Sequence, residues 1–217
     1  MPLTLQQAFN LMQNDLEQFM LQVPVTVRRA GQGAITHASY YLDTTYGNQN
    51  TTGLYMGQSR TQPRFAFGPA SSSTSVGPIS CVHVPVADFD VLKPTDIVKV
   101  TSYEEANFLC TTMLSGCTFA IRKKKDGLEF IHIRPPSDMG KSASSDIQKA
   151  ASKEFDVSFG RGDGTGTTYG PGCACSILGV KQQGRWNIFA QYQDSNHNVV
   201  RSECIYREPS DVGVSYV

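Results

Sequence analysis

Leu5, Phe9, Met12, Leu16, Phe19 and Met20 recur every three to four positions near the start of the chain, the period that lines one face of a helix. Thr4 followed by Gln7 has the form of a capping box, in which each side chain satisfies the other residue's free backbone N–H. The pattern predicts one amphipathic helix over residues 4–22, ended by Pro24 and packed on a core by its apolar stripe. From Val23 to Val100 the texture changes to short β-type runs: VPVTVRR from 23, ITHASYYL from 35, GLYMG from 53, RFAFG from 64 and CVHVPV from 81. The polar stretches TTYGNQNTT from 44 and GPASSSTSVGP from 68 read as surface loops and as candidates for target contact.

Ser102 with Glu105 repeats the capping-box spacing, and Phe108, Leu109 and Met113 continue it as a helix that stops near Ser115 and Gly116. CTFAI, RKKKDG and LEFIHI then form a β-hairpin, with Gly127 supplying positive φ. If the six residues Arg122–Gly127 close it, Ile121 pairs with Leu128, Phe119 with Phe130, and Cys117 with His132. All six then share one face, with thiol and imidazole side by side on an apolar surface. A tighter Asp126–Gly127 turn keeps that face and moves the pair apart. SASSDIQKAASKEF predicts another helix, GRGDGTGTTYGPG from 160 a glycine-rich loop, and residues 173–206 an antiparallel meander of three strands. No internal repeat is present. The expected fold class is α/β, one domain over 1–217, a sandwich of two mixed or antiparallel β-sheets flanked by helices, with the catalytic hairpin at 115–134.

The length also suits one large domain at about 150 residues per domain. Nineteen Lys and Arg balance nineteen Asp and Glu, which removes the basic excess of a sequence-independent nucleic-acid binder. No apolar run approaches the roughly 18 residues of a membrane span, and the first twenty residues, with Asp15 and Glu17, do not read as a Sec signal. Six cysteines, at 81, 110, 117, 173, 175 and 204, sit in a chain large enough to build its own core. Free thiols are therefore expected, in place of a disulfide scaffold.

One constellation carries chemistry. Leu114, Ser115 and Gly116 lead into Cys117, and His132 lies on the next strand. A Cys nucleophile acts as its thiolate, which a nearby imidazole promotes. A sharp Ser-Gly turn also exposes backbone N–H groups able to stabilise an oxyanion. Against this stands the plain reading of Cys117 as a small hydrophobe and His132 as a satisfied strand residue. Cys173-Ala174-Cys175 lacks a second ligand pair, so no metal is expected. Arg161-Gly162-Asp163 is an integrin-type tripeptide of low specificity, and the glycine-rich loop fits neither a P-loop nor a dinucleotide fingerprint. No cofactor is expected. Arg122–Lys125 reads as a solvated hairpin tip or as an electrostatic guide for an acidic target face. His37, His83 and His197 have no partner evident in the sequence.

LSGC leading into a strand, with a His on the following strand, resembles the bacterial toxin glutamine deamidases typified by cytotoxic necrotizing factor and Burkholderia lethal factor. LKPTDIVKVTS, TTMLSGC and FIHIRPP extend the resemblance over residues 92–136. It implies Cys117 as nucleophile and His132 as general base and later acid. An upstream backbone carbonyl orients the ring: in the lethal factor that of a Thr falling here on Thr111, in the necrotizing factor that of a Val on a more distant strand. The Cys-to-His interval is longer than in the lethal factor by the basic hairpin loop. The implied reaction turns a glutamine of a host protein, a Rho-type GTPase or a translation-initiation RNA helicase, into glutamate. A monomer acting in host cytosol is expected, and with no Sec signal read in the sequence its delivery is expected to follow a non-Sec route. A transglutaminase or cysteine protease using the same pair is the rival within enzymes. A non-catalytic β-sandwich module contacting a glycan or receptor through its loops is the rival outside them.

Overall fold

The N-terminal apolar stripe forms two helices in place of one. In the computed structural model, which describes residues 3–28, 37–45, 64–69, 73–89, 96–101, 105–136, 143–162 and 168–209, α1 is Leu5–Asn14 and α2 is Leu16–Gln22. The Thr4–Gln7 capping box is present in both directions. Asp15 breaks the helix, with φ −147° and ψ 81°, because its carboxylate accepts from the Gln18 N–H at 3.0 Å and restarts the chain as a new N-cap. The predicted periodicity survives, since Ala8, Phe9, Met12, Leu16, Phe19 and Met20 are all buried.

Strands follow as β1 (Val25–Val27), β2 (His37–Thr45), β3 (Arg64–Gly68), β4 (Val76–Val84), β5 (Val86–Asp88), β6 (Val98–Thr101), β7 (Phe108–Leu114), β8 (Thr118–Lys124) and β9 (Gly127–Arg134). After α3 (Ala143–Glu154) come β10 (Val157–Arg161), β11 (Thr168–Tyr169), β12 (Ala174–Gln182), β13 (Arg185–Gln193) and β14 (Val199–Arg207). The GLYMG run, residues 46–52 and 70–72 of the two polar stretches, residues 92–95, Ser102 and residues 163–167 lie outside the described residues. The second polar stretch is in part strand, because Val76, Gly77 and Pro78 open β4.

An eight-stranded sheet runs β1-β3-β2-β4-β7-β12-β13-β14. A six-stranded sheet runs β11-β10-β8-β9-β5, with β6 also paired to β9. Both are mixed: β4 and β7 are parallel, as are β5 and β9, while the β12–β13–β14 meander is antiparallel. The sheets pack face to face over a core that includes Val82, Leu109, Phe119, Phe130, Phe159 and Ile188. Helices α1 and α2 cover the outer face of the large sheet, and α3 covers the small one through Ile147 and Ala151 against Ala120, Ile131 and Ile133. The layers are therefore helix, sheet, sheet, helix. Each fully buried Phe contributes about 1.5–3 kcal/mol.

The helix predicted through Phe108 and Met113 is instead β7. Leu109 faces the inter-sheet core and Phe108 and Cys110 face the helical layer. A strand buried on both faces reads as a continuous apolar run, which periodicity alone does not separate from a buried helix. Gln191 and Gln193 of β13 hold the turn after α2 against the sheet. The Gln191 carboxamide donates to Met20 O at 2.7 Å and Val23 O at 2.8 Å and accepts from Val25 N at 3.0 Å.

Candidate active site

Two corners at one end of the sandwich assemble the candidate site. At Pro85 the chain leaves β4 of the large sheet and enters β5 of the small one. At Ser115, Gly116 and Cys117 it leaves β7 and enters β8, making the same change of sheet. The corners are adjacent because Val84 pairs with Thr111, and Val86 with His132. Thr111 shares the inward face of Leu109, and His132 that of Phe130, so the two polar side chains meet across the core.

Thr111 Oγ1 lies 2.7 Å from Val84 O and 2.6 Å from His132 Nδ1. Both residues have no solvent exposure. A carbonyl only accepts, so the single hydroxyl proton goes to Val84 O and the hydroxyl accepts from Nδ1–H. This holds the imidazole in the Nδ1–H tautomer and leaves the lone pair on Nε2, which makes no hydrogen bond to any described residue. The resemblance implied orientation by the Thr111 backbone carbonyl; the contact is instead through its side-chain hydroxyl. The reason is direction, since the Thr111 side chain crosses the inter-sheet gap while strand carbonyls point along the sheet.

The hairpin register also differs from expectation. Lys125 and Asp126 form the turn, Lys124 pairs with Gly127, Ile121 with Phe130, and Phe119 with His132. Arg122–Lys124 are strand residues, because Arg122 reaches across to Glu129 with Nη2 2.6 Å from Oε2. Gly127 is in the ladder too. A Cβ there would lie 2.0 Å from Val100 O, and φ is +149°, so only glycine lets β6 pack alongside. The shift is two residues, an even number, so the shared face is kept. Cys117 becomes a diagonal neighbour of His132, about 7 Å away between Cβ atoms, and no hydrogen bond joins Sγ to Nε2.

Burial sets the charge state of both groups. It pushes the Cys117 thiol up to about 11, against the lowering effects of the Ser115 backbone amide and Arg134, while Asp88 raises it further. It lowers the His132 imidazole to about 3, with His83 and Arg134 adding repulsion. The resting pair is a neutral thiol and a neutral imidazole. Leu114 is buried at the end of β7 and Ser115 is exposed. Gly116 leaves the corner open, since a Cβ there would meet only Ser144 Oγ, at 3.5 Å.

Three further contributors lie outside the sequence reading. Val84 supplies the carbonyl behind Thr111. Tyr169 donates its hydroxyl to Cys117 O at 2.9 Å and pins the nucleophile's backbone. Asp88 and Arg134 form a two-point pair at 2.6 and 3.0 Å beside the thiol. None carries a local motif; each becomes visible only once β4, β5, β9 and β11 are positioned. His197, with no partner evident in the sequence, meets Gln193 Oε1 through Nδ1 at 3.2 Å. His83 is a buried strand residue stacked on Tyr40, with ring centroids 6.1 Å apart. All six cysteines are free thiols. Among the described residues, no three His, Cys, Asp or Glu side chains gather in a way that would hold a metal ion, and no helix is long and apolar enough to cross a membrane. No protein-family model matches the sequence, and no curated protein does.

Proposed function

We propose that the protein is a Cys-His glutamine deamidase acting on a host protein, with Cys117 as nucleophile and His132 as general base and acid. The observation that carries this reading is the Thr111 hydroxyl bond to Nδ1, which gives His132 the tautomer a base at Nε2 requires, one diagonal step from a half-buried thiol. Where the resemblance assigns the orienting role to a backbone carbonyl, the Thr111 hydroxyl takes it here, itself held by donating to the Val84 carbonyl. Catalytic contacts commonly tighten only when substrate is bound. In the proposed reaction Nε2 takes the thiol proton as sulfur forms its bond to the glutamine carboxamide carbon. The Ser115–Cys117 corner offers backbone N–H groups to the oxyanion. The C–N bond then breaks as His132 returns the proton to the departing ammonia. Water next attacks the thioester, giving one proton to Nε2 and then to sulfur, and glutamate is released.

A second reading has a specific observation in its favour. A thiol raised to about 11 by burial is what an inert structural Cys presents, with Thr111 and His132 acting only as a strut between sheets. Peptide mass spectrometry of host lysate proteins treated with the wild type and with Cys117→Ser separates the two. A Cys117-dependent gain of about one dalton at a dominant glutamine is expected from thioester hydrolysis. Chain cleavage would indicate a protease and cross-linking a transglutaminase, while no change in any host lysate would favour the strut.

A further inference from the structure

The two hairpin tips meet at the end of the sandwich remote from Cys117, beyond the seven residues of β8 and thus about 20 Å away. Lys123, Lys124 and Lys125 come from the β8–β9 hairpin, and Lys181 and Arg185 from the β12–β13 hairpin. They line a cleft of about 360 Å³ whose walls include Leu128 and Trp186. A neighbouring depression of about 830 Å³ shares Arg185, Glu208 and Pro209 with it and runs on to Arg207. The result is an elongated basic groove on a chain whose total charge is zero.

We propose that this groove binds a carboxylate-rich segment of a protein partner. Among the described residues the lining of the first cleft carries the five cations named above and two carboxylates, Asp126 and Glu208, with Glu129 beside Lys124 and Asp156 bonded to the Lys123 backbone N–H just outside it. Glu208 is already engaged, accepting from the Trp186 backbone N–H at 2.9 Å. The cations are spread along the walls and do not converge on one point: Lys124 leans toward Glu129 at 3.7 Å and Lys123 lies over the Tyr206 ring at 5.8 Å. That spacing suits several carboxylates in series better than a single phosphate, which is gripped by convergent donors. A nucleic-acid strand would need exposed aromatic faces for its bases, and Trp186 and Tyr206 are only 3% and 6% exposed. Folded strands hold both rims, so the charges are presented before the partner arrives. The proposal is independent of the chemistry at Cys117.

The test is fluorescence anisotropy with a labelled peptide of alternating Glu and Ser, alongside its Gln-for-Glu counterpart, an oligouridylate RNA and phosphatidylserine vesicles. The Glu peptide binds and the Gln peptide does not, and the affinity falls steeply as salt rises from about 50 to about 300 mM, where exposed charges are screened. Lys125→Glu with Arg185→Glu weakens binding by about tenfold or more, and Lys125→Ala with Arg185→Ala weakens it less. Both positions are exposed, Lys125 in the hairpin turn and Arg185 at the first residue of β13, and unchanged circular dichroism confirms that each variant folds. Cys117→Ser binds as the wild type does, which separates this result from any failure of the proposed activity. The inference is overturned if the wild type does not bind the Glu peptide at low salt, if charge reversal leaves the affinity unchanged, or if RNA or vesicles bind more tightly.

Discussion

Replacing Thr111 by Val removes a hydroxyl and almost nothing else, because the two side chains are nearly the same shape. In this protein that hydroxyl holds two partners in a space with no solvent exposure, Val84 O at 2.7 Å and His132 Nδ1 at 2.6 Å. The variant strands the Nδ1–H donor, a loss of about 1–3 kcal/mol for a buried group, and frees a carbonyl for about 1 kcal/mol more. A total of about 2–4 kcal/mol lowers Tm by roughly 4–16 °C for a domain of this size. The assay is urea and thermal unfolding at neutral pH of Thr111→Val, His132→Phe and the double variant. With the imidazole gone there is no stranded donor, so Thr111→Val then loses only the carbonyl bond, and the cycle returns a coupling of about 1–3 kcal/mol. Thr111→Ser, which keeps the hydroxyl, recovers part of the loss. Nitrogen-15 NMR of the wild-type ring supplies a check that does not involve stability, with Nδ1 protonated and Nε2 bare. A change below about 0.5 kcal/mol, an additive cycle, or a ring protonated at Nε2 would refute the inter-sheet bond as described.

Three other outcomes follow from the same structure. The imidazole of His132 takes up a proton near 6.5 ordinarily but only near 3 in the folded protein, so the unfolded chain binds more protons between those values and stability rises with pH across that window. The contribution is complete above about 6.5, fades toward 3, and reaches about 5 kcal/mol at most; unfolding free energies of His132→Phe should lose about one proton of slope there, and an unchanged slope would contradict a buried neutral ring. Iodoacetamide alkylation of Cys117, followed by peptide mass spectrometry, should accelerate up to a pH of about 11, slow in Arg134→Gln and quicken in Asp88→Asn, since only the thiolate reacts; a plateau below neutral pH would show a preformed ion pair instead. Gly127→Ala places a Cβ against Val100 O at a φ of +149° and should destabilise by more than about 2 kcal/mol in urea titration, whereas Gly116→Ala, facing only Ser144 Oγ at 3.5 Å, should change stability little.

Local signals determined a good part of this protein. The Thr4–Gln7 box, the helical stripe after it, α3 and the three-strand meander are each written in neighbouring residues, because caps and hydrophobic periods act within a few positions. So was the shared face of Cys117 and His132, which depends only on the parity of the hairpin register. What the tertiary structure decided is everything that requires two distant segments to meet. Phe108–Leu114 became a strand because burial on both faces, between β4 and β12, outweighs a helix-like spacing. The register moved by two residues because β6 presses on Gly127 and Arg122 reaches Glu129. The helix broke at Asp15 because a side-chain cap there competes with continuation. Thr111 reaches His132 through its hydroxyl, Tyr169 reaches Cys117, and the basic hairpin joins Lys181 and Arg185 in one groove. A residue's chemistry is carried by its own side chain, but the partner that sets its tautomer, charge or accessibility arrives from another part of the chain, and only packing decides which one.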